Sequence, residues 1–418
     1  MERKDKAFLI AGYKENKSEC EEHLHELSLL ADTYGMETVG QMPCLLRKIT
    51  AATFLTKGKL EEAIEYVRES GANIVVFDNE ISPSQQRNLE KAFGITVMDR
   101  TEVILGVFAA HAHSKEAHLQ VELAQTKYQV PRLKRLWTHL GRQSGTAGAG
   151  AYLKGAGEKQ IEIDKRLLSK RISHLEREIK EIRAHRITQR KQRVRSGIPT
   201  FALIGYTNVG KSTLLNALTD ADVLVEDKLF ATLDTTTRKF ILPNHQEILF
   251  IDTVGFIRKL PHLLVASFKS TLEEALEADI LLHIVDASDP AACEHVKATF
   301  EVLEELGTTD KPIISIFNKI DQNEDPGLLK RLRVLCVNSV MISAKEKTGF
   351  DELIERITQE LEKTRKHVKL KLPQSEYAVV SDVNKRGHVI ETEYVDNDVI
   401  VTADLPYELA EKYKKYQI

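Results

Sequence analysis

The chain lacks any apolar run near the ~20 residues that span a bilayer; its longest, such as Ile280 to Val285, stop far short. Its start, Met1-Glu2-Arg3-Lys4-Asp5, has no signal-peptide hydrophobic stretch, so a cytoplasmic protein without a membrane span is expected. Cysteine is scarce. Cys20, Cys44, Cys293 and Cys336 lie far apart with no C-x-x-C pair, which argues against a zinc knuckle or a disulfide framework and leaves buried free thiols. With 21 glycines and 11 prolines, collagenous and disordered compositions are excluded. His111, His113 and His118 have no carboxylate or thiol partner at ligand spacing, so a metal hydrolase is not supported.

What is present is an ordinary globular composition, 42% apolar and 29% charged, over 418 residues, enough for two or three domains with cores of their own. The net charge of −3 says nothing about partners, but its distribution does. Residues 131–200 carry 18 basic and 6 acidic side chains, a local +12 that leaves −15 for the remainder. One segment is a cationic arm.

Residues 1–112 alternate short apolar runs (Phe8 to Ala11, Ile74 to Phe77, Ile95 to Met98) with amphipathic stretches (Glu19 to Tyr34, Lys59 to Ser70, Pro83 to Phe93), the pattern of an α/β domain. Residues 113–196 read as a basic helical hairpin. Leu168, Ile172, Leu175, Ile179 and Ile182 step by 4, 3, 4, 3, a coiled-coil seam, and the glycine-rich stretch Ser144 to Gly150 would be its tip. After the breaker cluster Ser196-Gly197-Ile198-Pro199, residues 197–364 read as a second α/β domain. Its strands (Phe201 to Ile204, Ile248 to Ile251, Ile280 to Val285, Ile313 to Phe317, Val340 to Ile342) are separated mostly by helical patterns, so a mostly parallel sheet with helices on both faces is expected. In residues 365–418 the runs Tyr377 to Val383, His388 to Tyr394 and Asp398 to Ala403 suggest a small β-rich appendage ending in a helix from Pro406. The fold class is α/β, with a helical coiled-coil arm after the first α/β domain and a small β-rich appendage after the second.

The chemistry begins at Gly205-Tyr206-Thr207-Asn208-Val209-Gly210-Lys211-Ser212, between a strand and the helical run Thr213 to Leu218. That order is what a phosphate-binding loop requires. Glycines let successive N–H groups turn toward phosphate oxygens, and the helix start adds partial positive charge. Lys211 would reach the β and γ phosphates, and Ser212 would place its hydroxyl on Mg²⁺. A plain tight turn is the bland alternative, but further polar pieces follow at other strand ends. In Asp252-Thr253-Val254-Gly255, Asp252 would hold a magnesium-bound water and the Gly255 N–H the γ phosphate. In Asn318-Lys319-Ile320-Asp321, the Asp321 carboxylate would accept from both guanine N–H donors; adenine lacks that pair and would leave the charge unmatched. Ser343-Ala344-Lys345 would close over the guanine O6.

With these motifs in view, the chain resembles the HflX family of translation-factor-like GTPases, relatives of the Obg group. Gly205 to Lys345 carry the superfamily motifs. The family is marked by Leu119-Gln120-Val121-Glu122-Leu123-Ala124-Gln125 through Tyr128, by Pro131-Arg132-Leu133, and by Gly155-Ala156-Gly157-Glu158-Lys159-Gln160-Ile161-Glu162. It departs from the family at Lys154, where arginine is usual, and at Ala156, where proline is. The resemblance implies a first switch at Phe230-Ala231-Thr232-Leu233-Asp234, with Thr232 the second protein ligand to Mg²⁺; from the residues alone Thr232, Thr235, Thr236 and Thr237 are equal candidates.

Phe256 stands where Ras-like enzymes place the glutamine that orients the attacking water, and it has no donor or acceptor. Slow intrinsic hydrolysis is expected. Asn208 either braces the loop or holds a potassium ion that supplies the missing positive charge; equal turnover in potassium and sodium would remove the second reading. Lys211, Thr232, Gly255 and Asn208 are thus the candidate catalytic residues.

The arm carries Arg183, Arg186, Arg190, Lys191, Arg193 and Arg195 with no acidic residue after Glu181, which favours a nucleic-acid partner over a solvated face. Trp137 either stacks on an unpaired base or anchors the loop. The resemblance makes that partner the large ribosomal subunit, its 23S rRNA met by residues 131–200, and implies a monomer that splits stalled or idle ribosomes. Two other classes compete: a nucleotide-regulated RNA-binding or assembly protein with incidental hydrolysis, which subunit-stimulated turnover would exclude, and an ATP-dependent enzyme, against which Asp321 argues.

Overall fold

The computed structural model describes residues 4–133, 153–196, 198–219, 229–230, 233, 235–259, 277–308, 311–363, 365–395 and 398–418, and the side chains of 153–161, 185–196, 374 and 407–408 lie outside it. Chain contacts divide the molecule into two units, one formed by residues up to Ile182 with two later short stretches, 228–233 and 259–268, the other by the remainder.

In the first unit, β1 (Lys6–Tyr13), β2 (Glu37–Leu45), β3 (Ile74–Phe77) and β4 (Thr96–Asp99) form a sheet in the order β2-β1-β3-β4. Every pairing is parallel, as helical crossovers dictate. Those crossovers are α1 (Lys17–Tyr34), α2 (Lys57–Ser70) and α3 (Pro83–Phe93). α3 starts where Ser82 and Gln85 exchange side-chain-to-backbone bonds and Pro83 supplies a preset first turn. β1, β3 and β4 bury Ile10, Val75, Phe77 and Val97 in one cluster with Leu55 and Leu89. β2 escaped the sequence reading because it is half-buried and carries no apolar run. Cys20, Cys44 and Cys336 are free and buried, and Cys293 is free and partly buried.

α4 (Arg100–His111) and α5 (Lys115–Gln129) follow. Here the family-marking residues acquire a physical role. Arg132 reaches back to the end of β4, donating to Asp99 (3.3 Å), the Ile81 carbonyl (2.9 Å) and Gln86 (3.1 Å), while its guanidinium lies 3.6 Å over the Tyr128 ring. The Tyr128 hydroxyl donates to Asp99 at 2.9 Å. A second buried cation, Arg100, bonds Asp78 (2.8 Å) and Glu26 (2.6 Å). Buried charges are tolerated because each is matched.

α6 (Leu153–Ser196) is one continuous helix of 44 residues. Its seam packs on α5: Leu175 and Ile179 are buried with Leu119 and Leu123, flanked by Ile172 and Ile182. Arg171 clamps Glu122 (2.7 and 2.8 Å) on one flank and Lys127 meets Glu176 (2.7 Å) on the other. Like flank meets like flank across the seam, which is the arrangement of antiparallel helices. The tip, Ser144 to Gly150, and Trp137 lie outside the described residues.

In the second unit, β5 (Thr200–Gly205), β6 (Thr236–Ile241), β7 (Glu247–Asp252), β8 (Ile280–Asp286), β9 (Ile313–Asn318) and β10 (Ser339–Met341) form a sheet ordered β10-β9-β8-β5-β7-β6. All pairings are parallel except that of the edge strand β6 with β7. The fully apolar runs Phe201 to Ile204 and Ile248 to Ile251 lie inside the sheet as parts of β5 and β7. α7 (Lys211–Thr219), α8 (Ala292–Glu305), α9 (Pro326–Leu335) and α10 (Phe350–Lys363) are its described helices.

The final segment corrects one expectation. Tyr377 to Val383, read as a strand, belongs to α11 (Tyr377–Arg386), whose buried residues Val379, Val380 and Val383 follow helical spacing. The sheet is instead β11 (Arg365–Pro373), β12 (His388–Val395) and β13 (Asp398–Pro406), antiparallel in the order β11-β13-β12, followed by α12 (Tyr407–Lys412). Leu370, Leu372, Val401, Ala403 and Leu405 close its core against Val383.

Candidate nucleotide-binding site

The parallel sheet of the second unit delivers its polar residues at one edge, because all of β5, β7, β8 and β9 end there. β5 ends at Gly205, φ +146°, where a Cβ would sit 2.2 Å from the Ile284 carbonyl oxygen; only glycine lets the loop start against β8. Gly210 has φ +90° and would drive a Cβ to 2.4 Å from the Asn318 amide. Asn208, exposed at the crest, adopts φ +60°, a conformation asparagine tolerates.

α7 starts at Lys211, whose ammonium folds back onto the loop, donating to the Tyr206 carbonyl (2.7 Å) and the Gly205 carbonyl (3.4 Å). Burial pushes its pKa down to about 8, with Asp252 pulling the other way. The Ser212 hydroxyl donates to Asp252 at 2.6 Å. Thr253 is occupied structurally, donating to the Leu203 carbonyl at 2.6 Å. Beyond it the chain runs beside the loop: the Thr207 N–H donates to the Phe256 carbonyl (2.8 Å) and the Phe256 N–H to the Gly205 carbonyl (2.9 Å). Gly255 lies so close that a Cβ would meet Lys211 Nζ at 2.8 Å and Thr207 Cα at 2.8 Å.

Asn318, at the end of β9, is the bolt between the two halves of the site. Its amide donates to the Val209 carbonyl (2.8 Å) and its side-chain oxygen accepts the Ala344 N–H (2.9 Å). Asp321 is exposed, and a hydrogen bond from the Ser343 side chain holds its carboxyl below the ordinary range. Lys319, in the left-handed conformation, pairs with Asp286 at 2.7 Å. Ile320 and Lys345 stand in the same two turns. The structure therefore gathers Gly205 to Ser212, Asp252 to Gly255, Asn318 to Asp321 and Ser343 to Lys345 at one sheet edge.

Of the expected first switch only Phe230 and Leu233 are among the described residues. Ala231, Thr232 and Asp234 lie outside the described residues, while Phe230 and Leu233 are buried in the first unit, where Phe230 sets its ring edge-on to Phe108 (4.6 Å, 86°). Three neighbours of these residues escaped the sequence reading. Asp286 ends β8 as the mate of Lys319; its signal was its place at a strand's carboxyl end. His295 stacks on Tyr206, and Arg258 bonds the Tyr206 hydroxyl. Nothing in the spacing announces either.

Among the described residues no helix is long and apolar enough to cross a membrane, and no cluster of three His, Cys, Asp or Glu side chains is arranged to hold a metal ion. The two oxygen donors Ser212 and Asp252, side by side, suit a small hard cation that keeps several waters, so they fit Mg²⁺.

Family models match in three consecutive blocks: "GTP-binding GTPase N-terminal" over residues 21–109, "GTP-binding GTPase Middle Region" over 111–193 and "50S ribosome-binding GTPase" over 200–319. A GTPase HflX of Chlamydia pneumoniae is 47% identical over 98% of this chain and 88% of its own length. One from Caldanaerobacter subterraneus subsp. tengcongensis is 43% identical over 99% and 94%. A solved GTP-binding protein of Sulfolobus solfataricus in complex with GDP aligns over 85% of this chain and 98% of its own, at 26% identity and a TM-score of 0.45, too low to add weight. Relatives this similar over almost the entire length leave one assignment: the chain belongs to the HflX family of GTPases.

Proposed function

We propose that this GTPase works on the large ribosomal subunit, bound through its basic arm to 23S rRNA, and that it splits or rescues idle ribosomes in the cytoplasm as a monomer. The observation that carries the reading is the uncompensated run Arg183, Arg186, Arg190, Lys191, Arg193 and Arg195 on the continuous helix α6, in a chain whose GTPase block matches a 50S ribosome-binding model. Phosphates are the partner that relieves such repulsion.

In this reading Gly205 to Ser212 cradle the phosphates, Lys211 neutralises the β and γ groups, and the Gly255 N–H meets the γ phosphate. Ser212 and Thr232 would hold Mg²⁺, with Asp252 behind Ser212. When bound, the metal offsets charge on the transferred phosphoryl group. Phe230 to Asp234 form the first switch, Asn318 to Asp321 select guanine, and Ser343 to Lys345 close over O6. Asn208 stands at the loop crest where a potassium ion would supply the charge that Phe256 cannot.

Sedimentation with purified subunits tests it. Large subunits should carry the protein down with a non-hydrolysable GTP analogue, carry far less with GDP, and speed GTP turnover. Equal pelleting in both states, or unstimulated turnover, would leave an RNA-binding protein with incidental hydrolysis.

A further inference from the structure

The Phe256 side chain has no polar atom with which to place water, which leaves the backbone of the Gly255–Arg258 turn, and whatever fixes it, as the part of this segment able to bear on hydrolysis. Tyr206, second residue of the phosphate loop and only 5% exposed, is bonded on three sides. Its carbonyl accepts Lys211 Nζ at 2.7 Å. Its phenolic oxygen accepts the Arg258 backbone N–H at 2.6 Å. Its ring lies flat on His295, centroids 3.8 Å apart and planes 10° from parallel.

His295 is held in turn. It sits in the first turn of α8, 8% exposed, with Nδ1 3.5 Å from Asp289. Its neighbour Glu294 takes the Arg258 guanidinium at 2.8 Å. Arg258 is therefore gripped at both ends, backbone by Tyr206 and side chain by the same helix turn that backs the tyrosine ring. A second tie between this segment and the loop is the backbone ladder at Phe256.

We infer that Tyr206 is a positioning residue for GTP hydrolysis: its hydroxyl fixes the Gly255–Arg258 turn against the phosphate loop, with His295 as the stop behind its ring. This rests on the assignment of Gly255 to the γ phosphate. Removing the hydroxyl leaves the loop's glycines and its lysine-binding carbonyls in place, while the Arg258 N–H loses its acceptor and the turn its register. The effect belongs on catalysis, not on nucleotide affinity.

Single-turnover GTP hydrolysis and fluorescence titration with GDP, on the full chain, separate the two. Tyr206→Phe should lower the rate about tenfold or more while GDP affinity and KM stay within about twofold. His295→Ala should lower it less, and the double variant should add little to Tyr206→Phe, because the histidine acts through the tyrosine. A wild-type rate in Tyr206→Phe, or GDP affinity falling in step with the rate, overturns the inference. Gly255→Ala distinguishes the premise: it should abolish hydrolysis, and normal hydrolysis there would sink the Gly255 assignment itself.

Discussion

Asp78, at the end of β3, shows what a single buried charge can hold together. Burial alone would raise its carboxyl, yet Arg100 at 2.8 Å, Lys259 at 2.5 Å and His23 at 4.0 Å together hold it below the usual carboxylate range. A group whose pKa is lowered on folding stabilises above its unfolded value, ~3.9, and that contribution disappears as pH falls through the folded value. Asp78→Asn leaves Arg100 and Lys259 without their shared anion and should cost about 3–5 kcal/mol at neutral pH. Denaturant melts of variant and wild type should converge only as pH drops below about 4. A gap that stays constant well below that pH would mean that the lost packing, not the lost charge, is what matters. Lys211, by contrast, is a cation that burial works against and only Asp252 favours.

The helices of the arm owe their pairing to a narrow seam. Leu175 is fully buried between α5 and α6, and the neighbouring charge pairs are more than two-fifths exposed at Arg171 and Glu122, so they fix alignment more than they stabilise. Leu175→Ala should therefore cost about 2–5 kcal/mol, read as lost amide protection in helices 115–129 and 162–182 by hydrogen exchange. Breaking the Arg171–Glu122 clamp should cost no more than about 1 kcal/mol. The reverse ranking would mean that charge holds the helices together. The seam was legible because its step of 4, 3, 4, 3 has no other common cause. α11 was not legible. Tyr377, Val379, Val383 alternate well enough to imitate a strand, and only the burial of Val380 beside Val379 shows the helical face.

For the molecule as a whole, the net charge of −3 hides a segment of +12 within a remainder of −15. If the arm neutralises six or more phosphates, affinity for large subunits should fall by about three decades between 50 and 200 mM salt, whereas binding through another face would be nearly flat. Measuring that slope under a GTP analogue decides which surface binds. The sequence by itself determined the two α/β layers, the helical seam, and the polar pieces that meet at one sheet edge, because each is a local pattern: apolar runs for strands, heptad steps for the seam, glycines and a lysine between strand and helix. Only the tertiary structure decided what braces them. Asn318 bolting Val209 to Ala344, Arg132 reaching back to Asp99, and Tyr206 caught between Arg258 and His295 join residues far apart in the chain. Contacts of that kind arise when strands are laid side by side, and no local spacing records which ends will meet.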